Sequence, residues 1–118
     1  MAYRREEQPT VVNSTVWIEV ASTSFGWDSN STEDFIVMGY CEYTVDNKNA
    51  TVEIRVLVNG SEVATDCFSP AYAGQFTSFT PMGLAQLGLG VHYVTLEAKA
   101  TSLDNVTVRR KRLLVMKH

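Results

Sequence analysis

The chain has 118 residues, 45% of them apolar, and a net charge of −3. That is the size of one domain and too apolar for a disordered segment. Val, Thr and Ser are abundant and strong helix formers sparse, so the composition reads all-β, and no run approaches a membrane span.

The charge is unevenly placed. Residues 109–118 hold five cations (Arg109, Arg110, Lys111, Arg112, Lys117) and no acid, leaving five cations against thirteen acids, a net of −8, in residues 1–108. Such a chain suits end-to-end association, basic edge to acidic face. A solvated basic edge that blocks stray sheet pairing is the alternative.

In chain order, residues 1–10 read as an extended, charged arm carrying Arg4 and Arg5 and ended by Pro9. Arms of this kind fray or dock on a neighbour. No apolar core of signal-peptide length follows, so no targeting segment is expected. Residues 11–118 read as a single β-sandwich. Val11–Val20 is predicted as the first strand, with Val16, Ile18 and Val20 on one face, and Ala21–Phe25 continuing it after a kink. Gly26–Thr32 is a loop dense in turn formers. Its oxygens and those nearby (Asp28, Asn30, Glu33, Asp34) do not fit the spacing of a calcium-binding EF-hand loop, so Asx turns are expected there.

Phe35–Val45 is apolar on both faces, with Phe35, Val37, Cys41, Tyr43 and Val45 on one and Ile36, Met38 and Tyr40 on the other. A strand of this kind is central, or covered by a partner. Gly39 within it marks a bulge or a close backbone approach. Thr51–Val58 alternates cleanly, and Asn59-Gly60 then leads into Ser61–Phe68. Asn-Gly between two such runs is a strong hairpin signal, because both turn residues tolerate positive φ. Ser69–Gly90 is punctuated by Pro and Gly. It is predicted to hold a short strand near Gln75–Thr80 and one helical turn within Met82–Leu89. A terminal hairpin follows, with strands from Gly90 and over Val106–Met116. Val106 and Val108 share a face with Arg110 and Arg112, yet Leu113 and Val115 fall on the other. A bulge near Arg110–Arg112 restores the inward phase. The total is about seven or eight strands, a two-sheet antiparallel sandwich of jelly-roll or, alternatively, immunoglobulin-like type.

Chemistry is sparse. No serine lies in Gly-x-Ser-x-Gly, and His92 and His118 are the only histidines, so a nucleophile–base pair finds little support. The glycines at 83, 88 and 90 do not form a phosphate loop. Neither a metal nor a cofactor is expected. Cys41 and Cys67 could be a disulfide, two buried thiols or half of a shared metal site. If strands pair sequentially, both flank residues 51–58 and stand roughly 9–10 Å apart, which favours free thiols. Adjacent strand residues point to opposite faces, so Arg109–Arg112 makes a poor nucleic-acid stripe. Contact with an acidic subunit suits it better. Tyr72, Phe76 and Phe79 fall in expected loops and join Arg4, Arg5, Arg109, Arg110, Lys111 and Arg112 as candidate contact residues.

Five of the six asparagines (Asn13, Asn30, Asn49, Asn59, Asn105) stand in Asn-x-Ser/Thr. One reading is N-glycosylation on an exterior surface. The other is that Asn favours turns and Thr the strands that follow.

Taken together, the strand ending in the Asn-Gly turn at Leu57–Gly60, the Gly/Pro-rich crossing, Gly90-x-His92-x-Val94-x-Leu96 and the basic-then-aliphatic close Arg110–Val115 resemble small jelly-roll domains of tailed-phage and other viral particles. These occur as capsid decoration proteins and as fibre or receptor-binding heads, some tumour-necrosis-factor-like. The resemblance covers residues 51–118. It implies a non-enzymatic virion protein that contacts capsid or tail proteins and copies of itself, with a trimer favoured and neither membrane nor nucleic acid as partner. The alternative is a secreted or cell-surface glycoprotein domain that binds carbohydrate or protein.

Overall fold

The computed structural model describes residues 2–47, 50–68, 73–101 and 105–118, without the side chains of Cys67 and Phe68. The described residues form ten strands: β1 (Ala2–Glu6), β2 (Thr10–Val12), β3 (Ile18–Trp27), β4 (Glu33–Val45), β5 (Val52–Val58), β6 (Ser61–Phe68), β7 (Thr77–Phe79), β8 (Met82–Leu87), β9 (Gly90–Ala100) and β10 (Val106–Lys117). No helix occurs among the described residues.

The pairing is nested. β1 and β2 pair with β10, β3 with β9, β4 with β7 and β8, and β5 with β6, all antiparallel. This long hairpin rolls into two sheets, β1-β10-β4-β7 (with β2 and β8) and β3-β9-β5-β6. Such a rolled hairpin is a jelly roll, which decides against the immunoglobulin-like alternative. The strand count exceeds the expected seven or eight because two edges are each cut in two. β1 and β2 lie end to end along β10, and β7 and β8 along β4. Pro9 and Pro81 stand at the two cuts. Proline has no N–H to give a ladder, so it belongs at sheet edges and interruptions.

Several expectations are met. Asn59 and Gly60 have φ of 52° and 82°, as a two-residue hairpin turn requires. The ladder between β10 and β4 shifts register between Arg109 and Arg112, and Arg110 has φ 50°. That is the predicted bulge. Beyond it Leu113 and Val115 are fully buried like Val106 and Val108. Gly39 marks a close approach: a Cβ there would lie 2.9 Å from Val56 Cγ2. Its N–H donates to the Pro81 carbonyl at 2.8 Å.

Others are corrected. The run 11–20 is not one strand. β2 belongs to the first sheet and β3 to the second, and residues 13–17 cross between them. Ser14 organises the crossing, accepting the Val16 N–H through Oγ and the Ala100 N–H through its carbonyl. Val16 and Ile18 are exposed as a result, and only Val20 of the three points inward. A bulge at Glu19/Ala21 lets Val20 and Ala21 both face the core. Met82–Leu87 is a strand rather than a helical turn, because the edge of β4 supplies hydrogen-bond partners from Glu33 to Met38. The arm is extended as expected, with Ala2–Glu6 laddered onto β10.

The core fills the space between sheets with Val, Phe, Leu and Ile from both inner faces. Phe35, Val37, Ile54, Val56, Val94, Leu96, Leu113 and Val115 are inaccessible to solvent. Cys41 is a free, buried thiol. β4 and β5 are consecutive yet lie in different sheets, so the sequential pairing assumed for the cysteine distance does not occur.

Candidate docking face of the six-stranded sheet

On the four-stranded sheet the outer face carries its own ion pairs around Trp17, and nearer the start of β9 Val91 and Tyr93 stand 60% and 62% exposed. Arg55 pairs with Glu97 at 2.7 Å and Glu62 at 3.5 Å, and Lys99 with Glu53 at 3.1 Å. Arg55 and Lys99 also cover the Trp17 ring, at 4.1 and 4.8 Å from its centroid. Cations over an indole face are attracted to it, and they leave that ring little free surface for a ligand.

The outer face of the six-stranded sheet is apolar in register. Tyr3, Leu114, Met38 and Met82 form one rung across β1, β10, β4 and β8. Met116, Ile36 and Leu84 form the next. Tyr3, Met82 and Leu84 are 60%, 61% and 63% exposed. Ile36, Met82, Gly83, Leu84 and His118 line a shallow hollow at one side of this band. Large apolar side chains in contiguous, solvent-facing rows mark a contact surface.

Along the strands the band is bounded by charge. At one end stand Arg5 and Arg112, with Arg109 and Arg110 beyond. Glu42 accepts from Arg109 Nε at 2.9 Å, Arg110 Nη1 at 3.3 Å and Tyr40 Oη at 3.0 Å. Those bonds, that of Arg109 foremost, hold the Glu42 carboxyl below its ordinary range, while the bond to Glu42 raises the Tyr40 phenol. Arg112 pairs with Glu7 at 2.7 Å. Glu7 also accepts from Arg5 at 2.6 Å, the main cause of its lowered pKa. At the other end Asp34 is exposed, on the same face of β4 as Ile36 and Met38.

The basic run therefore divides. Arg109, Arg110 and Arg112 point outward, so three of the four share a surface, because the bulge resets the alternation. Lys111 is the exception among the contact candidates: it faces the core at 1% exposure. Its Nζ donates to Thr10 Oγ1 at 2.6 Å, and burial lowers its pKa. Arg4 is exposed and pairs with Glu6 at 3.3 Å. Phe76 lies beneath the Arg109 guanidinium, 3.4 Å from its ring centroid, and Phe79 packs half-buried against the core. Tyr72 lies outside the described residues.

Three sequon asparagines hold turns. Asn13 Nδ2 donates to Asn105 Oδ1 at 2.8 Å. Asn59 accepts the Tyr93 N–H at 2.9 Å and contacts His92 Nδ1 through Nδ2, also at 2.9 Å. His92 Nε2 lies 2.8 Å from the Gly88 carbonyl. A carbonyl only accepts, so Nε2 carries the proton and Nδ1 accepts from Asn59. His92 is thus a buried strut beneath the turn. Asn30 is exposed in the β3–β4 loop, and Asn49 lies outside the described residues.

The outer apolar rows escaped the sequence reading except at Ile36 and Met38, where the two-faced strand gave the signal. Tyr3, Met82 and Leu84 needed their non-local partners to be known.

No protein-family model matches the chain, and no curated protein matches it by sequence. Solved structures share its fold. The VP2 subviral particle of infectious bursal disease virus aligns with a TM-score of 0.64 at 10% identity, over 97% of this chain and 31% of that one. The C-terminal domain of EclA, described as a sugar-binding protein, aligns at 0.57 and 7% identity, over 93% and 78%. The insecticidal delta-endotoxin Cry8Ea1 of Bacillus thuringiensis aligns at 0.56 and 12% identity, over 92% and 19%. The chain thus spans about a third of the viral protein and a fifth of the toxin. At these identities the likeness is one of fold: an antiparallel β-sandwich found in a viral capsid protein and in a sugar-binding domain alike.

Proposed function

We propose that the chain is a non-enzymatic structural module of a virus particle, of the capsid-decoration or fibre-head type. It works by packing against copies of itself and presenting its basic corner to capsid neighbours. The observation that carries this reading is the outer face of the six-stranded sheet, where two in-register apolar rows across four strands stand toward water. The fold it shares with the VP2 subviral particle agrees with a capsid role. The test is recovery with purified particles. Wild type is expected to co-sediment with them at fixed stoichiometry, and Leu84→Glu to remain folded but stay in the supernatant. Particles that carry no copy of the wild-type chain contradict the proposal.

A second reading, an exterior glycoprotein domain that binds carbohydrate or protein, is favoured by the five sequons and by the fold shared with the sugar-binding EclA domain. Native mass separates the two. Glycan mass at Asn13, Asn30 or Asn105 supports the second, and the bare polypeptide mass supports the first.

A further inference from the structure

We infer that the apolar face is a two-fold interface between two copies of this chain, in which Arg112 of each copy meets Asp34 of the other. The inference rests on reading this face as a contact surface and names its occupant and symmetry.

The apolar band is two rungs deep, with the Arg112–Tyr40 rung on one side and the Asp34 rung on the other. The basic end holds Arg5, Arg109, Arg110 and Arg112 against Glu7 and Glu42, and the far end holds Asp34, with Glu33 and Lys117 beside it paired with each other at 4.0 Å. The face therefore has opposite net charge at its two ends. Asp34 is exposed, and its carboxylate makes no hydrogen bond or ion pair with any described residue.

When two copies pack face to face, a two-fold axis relating them lies in the plane between them. If the axis runs along the strands, arginines stack on arginines. If it runs across the strands, direction reverses and each basic end covers the other copy's acidic end. An axis crossing midway between the Met38 and Ile36 rungs stacks apolar rows on apolar rows. It brings the Tyr40–Arg112 rung of one copy over the Asp34 rung of the other. A self-complementary face of this kind closes as a dimer, not as the trimer that the resemblance favours.

With the axis midway between the Met38 and Ile36 rungs, the shared stretch runs from the Tyr40–Arg112 rung to the Asp34 rung, about 23 Å of strand at about 3.3 Å per residue. Four strands at about 4.8 Å, with their side chains, are about 20 Å wide. The overlap is on the order of 450 Å² per partner, the size of a small, reversible interface whose dimer forms with rising concentration.

Sedimentation of the full chain over a range of concentrations tests this. Wild type is expected to be a dimer. Leu84→Glu, at a site 63% exposed, is expected to be monomeric with an unchanged circular dichroism spectrum and melting curve. Met82→Lys, also at an exposed site, serves if that variant misfolds. Arg112→Asp and Asp34→Arg should each weaken dimerisation about tenfold or more, and the double charge swap should recover most of the loss. A monomeric or trimeric wild type, a dimer indifferent to Leu84→Glu, or a swap no better than the single variants overturns the inference. Its failure is separable from that of the particle role. If the wild type is monomeric but Leu84→Glu still abolishes recovery with particles, the second copy is the wrong occupant and the particle role stands. If the swap rescues dimerisation but particles never carry the chain, the interface stands and the particle role falls.

Discussion

Lys111 shows how one local irregularity redirects a side chain. In strict alternation it would share its face with Arg109, in water. The extra residue at Arg110 turns it into the core, where Nζ has Thr10 Oγ1 as its hydrogen-bond partner and no ion pair within 4.0 Å among the described residues. Burying an unpaired ammonium costs free energy, and desolvation lowers its pKa accordingly. Lys111→Met, which keeps the length of the side chain, is therefore expected to raise stability by about 1 kcal/mol or more in urea titrations. The folded-state pKa lies below the ordinary 10.5, so the gain should be full at neutral pH and shrink as pH climbs toward 10.5. Cys41, directly across from the bulge, shifts the other way, pushed up to about 12 by burial. Its thiol stays neutral in the folded state while an unfolded chain ionises near 9. Stability should thus fall as pH rises from about 9 toward 12, less so in Cys41→Ala. Mass-spectrometric labelling should find Cys41 unmodified by iodoacetamide at pH 8 in the folded protein and modified in urea. Fast labelling of the folded protein contradicts its place in the core.

Among the elements, β4 and β10 show what a sequence can and cannot disclose. The hairpin at Asn59-Gly60 and the bulge in β10 were legible because both are set locally, by turn residues that accept positive φ and by a phase slip in an alternating pattern. The inner face of β4 was legible for the same reason. Not legible were features set by distant partners. Residues 82–87 carry no clean alternation and become a strand only because β4 has a free edge. Residues 11–20 look continuous, yet split because β2 and β3 pair with different strands. The apolar rows likewise assemble from four strands far apart in sequence. Two substitutions test the packing of these elements. Gly39→Ala sets a methyl 2.9 Å from Val56 Cγ2 and beside Pro81, and is expected to cost about 1–3 kcal/mol in urea unfolding. Asn59→Ala removes both the tolerance of positive φ and the contacts to His92 and Tyr93. A loss of about 2 kcal/mol is expected, with amide exchange accelerating first at the tip of the β5–β6 hairpin.

At the scale of the molecule, nesting of the strands places residues near the two termini side by side. β1 and β10 carry Tyr3, Arg5, Arg112 and Leu114 to one face, and β4 adds Asp34, Ile36 and Met38. Apolar rows left in water gain free energy when a partner covers them, which makes sense of them in an assembly. A second copy covers them, strands reversed. Sedimentation equilibrium of the wild type, the two single charge variants and their double swap tests this. The expected result is a dimer that either Arg112→Asp or Asp34→Arg weakens about tenfold or more and that the swap largely restores. A wild type that stays monomeric at every concentration, or a swap as weak as its parents, contradicts it.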